Sequence, residues 1–255
     1  MMIRRLLLAL MLSIAALRAG ATDFTDIWYL ATEAGWGVNV VQSDTFIFLT
    51  FFVYGPGGQP TWYTGQVTED ANGNFNGTLY STMGTYFAMP WMGFTGGPAG
   101  TVSFFPTSAT TATLVYTVTG APTVTKNIQR QTLTSIALGA SYSGGQAGGY
   151  SGCTDPSQNF LYKDTFDLDV TQQTDNSVTF AFTYSGVSCT LSGTLVQQGK
   201  LYSVPNASYV CSDGLNTNAS MSEIQATAQG IEGRFSAPSV GGNCAEDASF
   251  SGVLL

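Results

Sequence analysis

The sequence predicts an all-β protein built from two tandem small antiparallel barrels or sandwiches that follow a cleaved signal peptide. Short segments of alternating apolar and polar residues recur along the chain, separated by Gly, Pro, Asn and Asp. No stretch keeps a 3.6-residue apolar period for three turns, which disfavours helices. Charged residues make up only 9% of the 255 residues and 44% are hydrophobic, so a charge-rich helical bundle and a disordered chain are both disfavoured.

Residues 1–21 are typical of a secretory signal peptide. Arg4 and Arg5 form a basic start, residues 6–17 are an apolar run, and small residues end the segment at Ala21. The run is shorter than the roughly 20 residues that a membrane-spanning helix needs. We therefore expect cleavage, a secreted or periplasmic protein, and no integral membrane segment.

Residues 22–135 form the first predicted domain, which contains all four tryptophans. Turn-forming residues at 55–58 and 70–73, among others, separate short alternating strands. Eight such strands in about 110 residues fit a closed up-and-down barrel, which leaves no edge strand open, and a sandwich is the competing architecture. The predicted strands are 26–31, 35–42, 45–54, 61–68, 73–81, 100–106, 111–119 and 123–133.

Residues 149–255 form the second predicted domain, and a glycine- and serine-rich linker at 136–148 joins it to the first. All four cysteines fall in this half of the chain, and its aromatic residues are fewer. A second barrel or sandwich is predicted. Its strands are 149–153, 165–172, 177–184, 188–197, 201–204, 207–211, 221–229, 230–237 and 248–254.

The four cysteines predict two disulfide bonds, because an exported chain folds where disulfides persist. Four cysteines allow three connectivities. We favour Cys153 with Cys244, which ties the ends of the second domain, and Cys189 with Cys211, which joins neighbouring strands. A metal site is not predicted, since the chain has no His and its cysteines have no C-x-x-C spacing.

The charge balance limits the partners that we expect. Loss of Arg4, Arg5 and Arg18 with the signal peptide takes the net charge from −8 to about −11. An acidic surface repels phosphate groups, so nucleic acid is not an expected partner, whereas a neutral small molecule, a glycan or a basic protein is. The lack of His excludes catalytic sites built on imidazole, and no cofactor is predicted.

Tryptophans dominate the candidate ligand-binding residues. Their faces suit apolar ligands, aromatic rings and sugars, because they offer contact area at little rotamer cost. A long connection at 83–99 could fold one of them over a barrel mouth. The alternative is that the tryptophans fill a core. The candidates are Trp28, Glu33, Trp36, Asn39, Trp62 and Trp91, and no residue is assigned a catalytic role.

Glu33 is the candidate with acid chemistry. A carboxylate beside a tryptophan could hydrogen-bond sugar hydroxyls or act as an acid with a raised pKa. Glycosidase chemistry needs a second carboxylate, which the sequence does not place. A solvated turn residue is the alternative for Glu33.

The segment 45–54 is apolar on both alternating faces. One face must fill the barrel, and the other is expected to pack on a second surface. We expect that surface to be a contact between the two domains, with a homo-oligomer interface as the alternative.

Four motifs follow one another in residues 24–66: Trp28-Tyr29, a Glu-Ala-Gly-Trp-Gly turn at 33–37, an aromatic strand ending at Tyr54, and a Gly-Gln-Pro-Thr-Trp hairpin at 58–62. They resemble a set of uncharacterised secreted bacterial β-proteins, in which the turn is Glu-Ser-Gly-Trp-Gly. The resemblance implies export and a β-rich fold, and it carries no catalytic residue. A looser similarity to avidin and lipocalin barrels implies a small-ligand pocket, although Asp26 stands where lipocalins begin Gly-x-Trp.

These features predict a secreted or periplasmic, non-catalytic binding protein that takes a small apolar, aromatic or sugar ligand in a tryptophan-lined barrel. The alternative is a structural or protein-interaction module, such as an acidic inhibitor of a basic secreted enzyme. A carboxylate-dependent glycan enzyme is the least favoured of the three.

Overall fold

The computed structural model describes residues 22–241 and 243–255, and in that part of the chain almost all regular structure is β-strand. The predicted signal peptide lies outside the described residues. Within the same ranges, no helix is long and apolar enough to cross a membrane. The first eight strands are β1 (Asp26–Tyr29), β2 (Gly37–Ser43), β3 (Phe46–Tyr54), β4 (Pro60–Glu69), β5 (Phe75–Gly84), β6 (Phe94–Pro106), β7 (Thr111–Val118) and β8 (Val124–Arg130).

These eight strands form a closed antiparallel barrel. Each strand pairs with the next along the chain, and β1 pairs with β8 through Trp28 opposite Arg130, which closes the ring. The all-β prediction is confirmed, and in this half the architecture is a barrel. One expected connection is shorter than predicted, because β5 continues to Gly84 and β6 already begins at Phe94.

The interior of the first barrel is a packed aromatic and aliphatic core. Alternate residues of each strand point inward, as Val38 and Val40 do on β2. Four aromatic rings pack against one another, edge to face or tilted, near the end of the barrel where β8 finishes, with ring centroids 5.1 to 6.4 Å apart. They belong to Phe24, Trp28, Phe75 and Phe104.

The second half of the described chain forms another ring of antiparallel strands. β9 pairs with β17, and β12 pairs with β14, so that the sheet closes on itself with β13 attached beside β14. Two tandem barrels are therefore present. The strands are β9 (Ala140–Ser151), β10 (Leu161–Gln172), β11 (Ser177–Thr183), β12 (Ser188–Thr194), β13 (Val196–Gln198), β14 (Leu201–Cys211), β15 (Asn216–Ala226), β16 (Gly230–Val240) and β17 (Cys244–Leu254), with a short 3-10 helix at Pro156–Gln158.

The segment predicted as a linker, 136–148, is mostly strand β9, and the prediction is corrected there. Its glycines serve close packing. A Cβ at Gly144 would collide with the carbonyl oxygen of Ser251, and one at Gly148 would lie 2.5 Å from the carbonyl oxygen of Asp247. Composition alone does not distinguish this cause of glycine enrichment from flexibility. The connection between the two barrels is residues 131–139.

Both expected disulfide bonds are confirmed. Cys153 pairs with Cys244, and Cys189 pairs with Cys211. The second bond joins directly opposed residues of β12 and β14, and so fastens the closure of the ring. The first bond ties the chain just after β9 to the start of β17. Both cross-links lie at the same end of the second barrel.

The outer face of β3 is not covered by a contact between the barrels, which corrects the favoured expectation. Phe52 and Tyr54 are 57% and 59% exposed. The two barrels instead meet near the opposite end of the first barrel, where the backbone N–H of Lys200 donates to Asp26 at 3.1 Å and Thr110 donates to Gln198 at 2.6 Å. A homo-oligomer contact at β3 stays a prediction.

Arg130 organises this junction. Its guanidinium is fully buried, pairs with Asp26 at 3.1 Å, and lies 5.1 Å from the ring centroid of Trp28. It also donates to the carbonyl oxygens of Ala109 at 2.8 Å and Thr25 at 3.2 Å, and to that of Asp23. One side chain therefore joins β8, β1, the N-terminal segment and the turn before β7.

We predict that Arg130→Met lowers the free energy of unfolding of the first barrel by about 3 to 5 kcal/mol, because it leaves the buried Asp26 carboxylate without its cation. The measurement is urea unfolding followed by tryptophan fluorescence, since all four tryptophans lie in this barrel. Lys200→Met is the control. It removes an ion pair with Asp23 whose side chains are 34% and 56% exposed, and it should cost less than about 1 kcal/mol. Equal losses for the two variants would contradict the prediction.

Candidate functional site

The first barrel has one free end, opposite the junction at Arg130. Because neighbouring strands are antiparallel, the connections at 30–36, 55–59, 85–93 and 119–123 all gather there. Phe51, Val53, Tyr63 and Tyr116 are the inward or partly buried residues just below this end.

An open cleft of about 830 Å³ lies between β4 and β5 at this end. The two strands pair from Thr64 opposite Tyr80 down to Glu69 opposite Phe75, and above that point they separate. We call this space the aromatic cleft. Its large side chains are Trp62, Tyr63, Met83, Trp91 and Phe94, and Gln59, Ser81 and Thr82 add neutral polar groups.

One wall of the cleft is the hairpin of residues 84–94, which we call the aromatic arm. The N–H and the hydroxyl of Thr85 both donate to the carbonyl oxygen of Gly93, and the N–H of Met92 donates to the Thr85 hydroxyl oxygen. Trp91 and Phe94 lie with ring centroids 6.4 Å apart. These bonds hold the Trp91 ring beside the cleft without support from the barrel interior.

Only some of the predicted tryptophans belong to this site. Trp62 and Trp91 line the cleft and are 53% and 69% exposed. Trp28 is fully buried, and its indole N–H donates to the carbonyl oxygen of Phe24 at 3.0 Å. The core alternative therefore holds for Trp28, and its assignment to a ligand site is corrected. Asn39 lies on the outer face of β2, opposite to Val38 and Val40, and does not line the cleft.

Glu33 and Trp36 form a separate cluster at the barrel mouth. The Trp36 indole donates to Glu33 at 3.2 Å, and Lys126 of β8 pairs with the same carboxylate oxygen. The Lys126 ammonium also lies 5.2 Å from the Trp36 ring centroid. Its hydrogen bond and charge hold the pKa of Glu33 below its usual value, the opposite direction from that of an acid catalyst. Sequence reasoning missed Lys126, which is far from Glu33 along the chain.

The second barrel contains a buried polar site that the sequence did not reveal. Glu246 is only 7% exposed inside an otherwise apolar interior, and Tyr162 donates to its Oε1 atom. Tyr184 donates to Gln146 at 3.1 Å, and Gln146 is 3.5 Å from the Tyr162 hydroxyl. Together with Tyr150 and Tyr209, these side chains line a cavity of about 300 Å³, which we call the tyrosine chamber.

The alternation of residues along β17 could have indicated this chamber, but Glu246 lies outside the strand that was predicted from the sequence. The last strand was predicted to begin at residue 248, whereas β17 begins at Cys244. Cys244, Glu246, Ala248 and Phe250 then share the buried face of the strand. A carboxylate at an inward position between a cysteine and an alanine is the irregularity that would have indicated a site.

The low polarity of the chamber changes the acidity of its residues. Burial raises the pKa of Tyr150 to about 12, and raises the pKa values of Tyr162, Tyr184 and Tyr209 as well. Burial also raises the pKa of Glu246, against the hydrogen bond from Tyr162, which lowers it. The neutral forms of the tyrosines are therefore strongly favoured in the folded protein.

No protein-family model and no curated protein matches this chain.

We predict that the second barrel loses stability as the pH rises from 10 to about 12. In the unfolded chain Tyr150 releases its proton near pH 10, whereas in the folded chain it does so near 12, so unfolding releases protons and is favoured across this interval. Tyr150→Phe should weaken this pH dependence. The measurement is the urea midpoint by circular dichroism at several pH values, and identical pH profiles for the two proteins would contradict the prediction.

Proposed function

We propose that this chain is a non-catalytic binding protein of the cell exterior or periplasm, and that it takes a neutral ligand with a flat apolar face in the aromatic cleft. The observation that carries the proposal is the pair of half-exposed tryptophans, Trp62 and Trp91, on a cleft of about 830 Å³. Such a volume suits a small organic molecule or a few sugar rings. The predicted ligand thus binds beside the barrel wall, since the barrel interior is a packed core.

The chemistry of the cleft lining favours a neutral ligand. Among the described residues that line it, none carries a charge. Gln59, Ser81 and Thr82 supply hydrogen-bonding groups beside the aromatic rings. Aromatic faces with a few neutral polar groups recognise aromatic rings by stacking and sugar rings by contact with their apolar faces plus their hydroxyls.

Export of the protein is part of the same proposal. Two disulfide bonds, both buried at the end of the second barrel, fit folding in an oxidising compartment. The apolar run in residues 6–17 and the resemblance of residues 24–66 to secreted bacterial β-proteins support the same location.

We predict that cellohexaose or the neutral dye N-phenyl-1-naphthylamine quenches the tryptophan fluorescence of the protein saturably. Trp62→Ala and Trp91→Ala should each weaken that binding about tenfold, which corresponds to about 1.4 kcal/mol for the loss of one ring face. The two probes separate a sugar ligand from an aromatic one. Titrations of each variant measure the dissociation constant.

The matched control for these variants is Phe87→Ala. Phe87 lies on the aromatic arm, is 91% exposed, and does not line the cleft, so its loss should change the affinity less than twofold. Linear quenching without saturation by both probes, or equal effects of all three variants, would refute ligand binding in the cleft.

A protein-interaction surface is the second candidate function, and the tip of the aromatic arm favours it. Phe87 and Met92 are 91% and 88% exposed, and Tyr86 and Met89 beside them are also exposed. Soluble monomers seldom leave such contiguous apolar surface in water. Phe52 and Tyr54 on β3 of the same barrel are exposed as well.

We predict that the protein without residues 1–21 self-associates through the arm as its concentration increases. The double variant Phe87→Ser, Met92→Ser should raise the dissociation constant at least about tenfold, because two exposed apolar anchors are lost. Sedimentation velocity measures it. Val210→Ser, an exposed change on the second barrel, is the control, and an equal effect of this control would contradict a role for the arm.

A further inference from the structure

We infer that the tyrosine chamber of the second barrel is a binding site for a small organic ammonium ion. The site is independent of the aromatic cleft, which lies in the other barrel. It would bind the cation with a buried carboxylate at its base and aromatic rings around it.

The strands of the second barrel aim these groups at one point. Glu246 of β17 lies directly opposite Tyr150 of β9, with both side chains on the inward face. Tyr162 on β10 points inward in the same alternation as Phe166, and Tyr209 points inward from β14. Phenol rings from β9 and β10 thus flank the carboxylate on one side, and the ring of Tyr209 approaches from β14 across the barrel.

The buried carboxyl group of Glu246 has no cationic partner among the described residues. The first barrel shows how this protein stabilises a buried carboxylate, since Asp26 is paired with the buried Arg130. Among residues 22–241 and 243–255, none of the ion pairs involves Glu246. Its Oε1 atom accepts the Tyr162 hydroxyl, a neutral donor. Burial without a cation raises the pKa of Glu246, and a bound cation would favour the ionised carboxylate and be attracted by it.

Most of the charges around the chamber have the same sign as Glu246. Asp164 and Asp213 also line it, and the Lys163 side chain brings a single positive charge to the described lining. Asp213 and Glu246 also line an adjoining cavity of about 830 Å³, which we call the outer cavity. The entrance therefore attracts cations over several ångströms.

The rings select an organic cation. The face of a tyrosine ring attracts an ammonium group through its quadrupole, and a cage of such rings holds alkylated ammonium groups well. Tyr150 and Tyr162 stack with centroids 5.3 Å apart, which orders both rings beside Glu246. A trimethylammonium head group fits the inner volume of about 300 Å³, and the outer cavity leaves room for the rest of a molecule.

The disulfide bonds hold the open end of the chamber in a fixed shape in the ligand-free protein. Cys189 and Cys211 line the inner chamber, and Cys244 lines the outer cavity. Cross-links on two sides of this open end lower the entropic cost of binding, because less of the chain has to become ordered when the ligand binds. Among the described residues, both disulfide bonds lie at this end of the barrel, and the opposite end has none.

The test uses choline and its uncharged analogue 3,3-dimethyl-1-butanol as probes, with isothermal titration calorimetry at pH 8 and low ionic strength. The two molecules have almost the same shape and differ in the positive charge. Choline should bind at least tenfold more tightly than the alcohol. Equal affinities would show an apolar pocket without cation selection, and an absence of choline binding at millimolar concentrations would overturn the proposal.

Two variants localise the binding. Glu246→Gln keeps the shape and the hydrogen bond acceptor for Tyr162, and it should weaken choline binding at least tenfold. Asp167→Asn removes the same charge from the exposed outer face of β10 and should change the affinity less than twofold. Equal effects of the two variants would show that net charge, and not the chamber, attracts choline.

The probe comparison on the unaltered protein remains decisive if Glu246→Gln does not fold. Binding in the aromatic cleft is read separately, because all four tryptophans lie in the first barrel and Glu246→Gln should leave cellohexaose quenching unchanged. Failure of one site is therefore distinguishable from failure of the other.

Discussion

The buried ion pair of Arg130 with Asp26 is the interaction on which the arrangement of the two barrels depends. Arg130 lies opposite Trp28 in the pairing of β8 with β1, so the same residue closes the first barrel and fills its lower end. Gly199 of the second barrel has a positive φ of 63° and approaches so closely that a Cβ there would lie 2.5 Å from atoms of Arg130 and Asp26. This end is sealed by protein, and the proposed ligand site lies at the other one.

The two barrels place their aromatic residues differently, and the difference sets their proposed chemistry. In the first barrel the core is apolar, and the remaining large rings are exposed around an uncharged cleft. In the second barrel, tyrosines and a carboxylate occupy the interior at the end that carries the disulfide bonds. An uncharged surface recognises ligands by shape and contact area, whereas a buried charge recognises an opposite charge. We therefore propose a neutral ligand for one barrel and a cation for the other.

Local signals predicted most of the strands and some of the site. Period-two alternation between turn residues indicated all eight strands of the first barrel, and export chemistry indicated the disulfide bonds. The Gly-Gln-Pro-Thr-Trp hairpin drew attention to Trp62, which does line the cleft. The glycines of β9 were misinterpreted as a linker, because flexibility and close strand packing select the same residue.

By itself, the sequence determined the fold class and most of the strand pattern, because these follow from alternation and turn chemistry, which are properties of neighbouring residues. It predicted two disulfide bonds from the export signal and favoured the observed pairing, but only the structure decided among the three connectivities. Only the tertiary structure decided which tryptophans are core and which are exposed, that Lys126 lowers the pKa of Glu33, and that Glu246 meets Tyr162. The physical reason is that barrel closure and strand register bring together residues that are far apart in the chain. Burial and electrostatic interactions depend on how close two groups are in space, which the order of residues does not give.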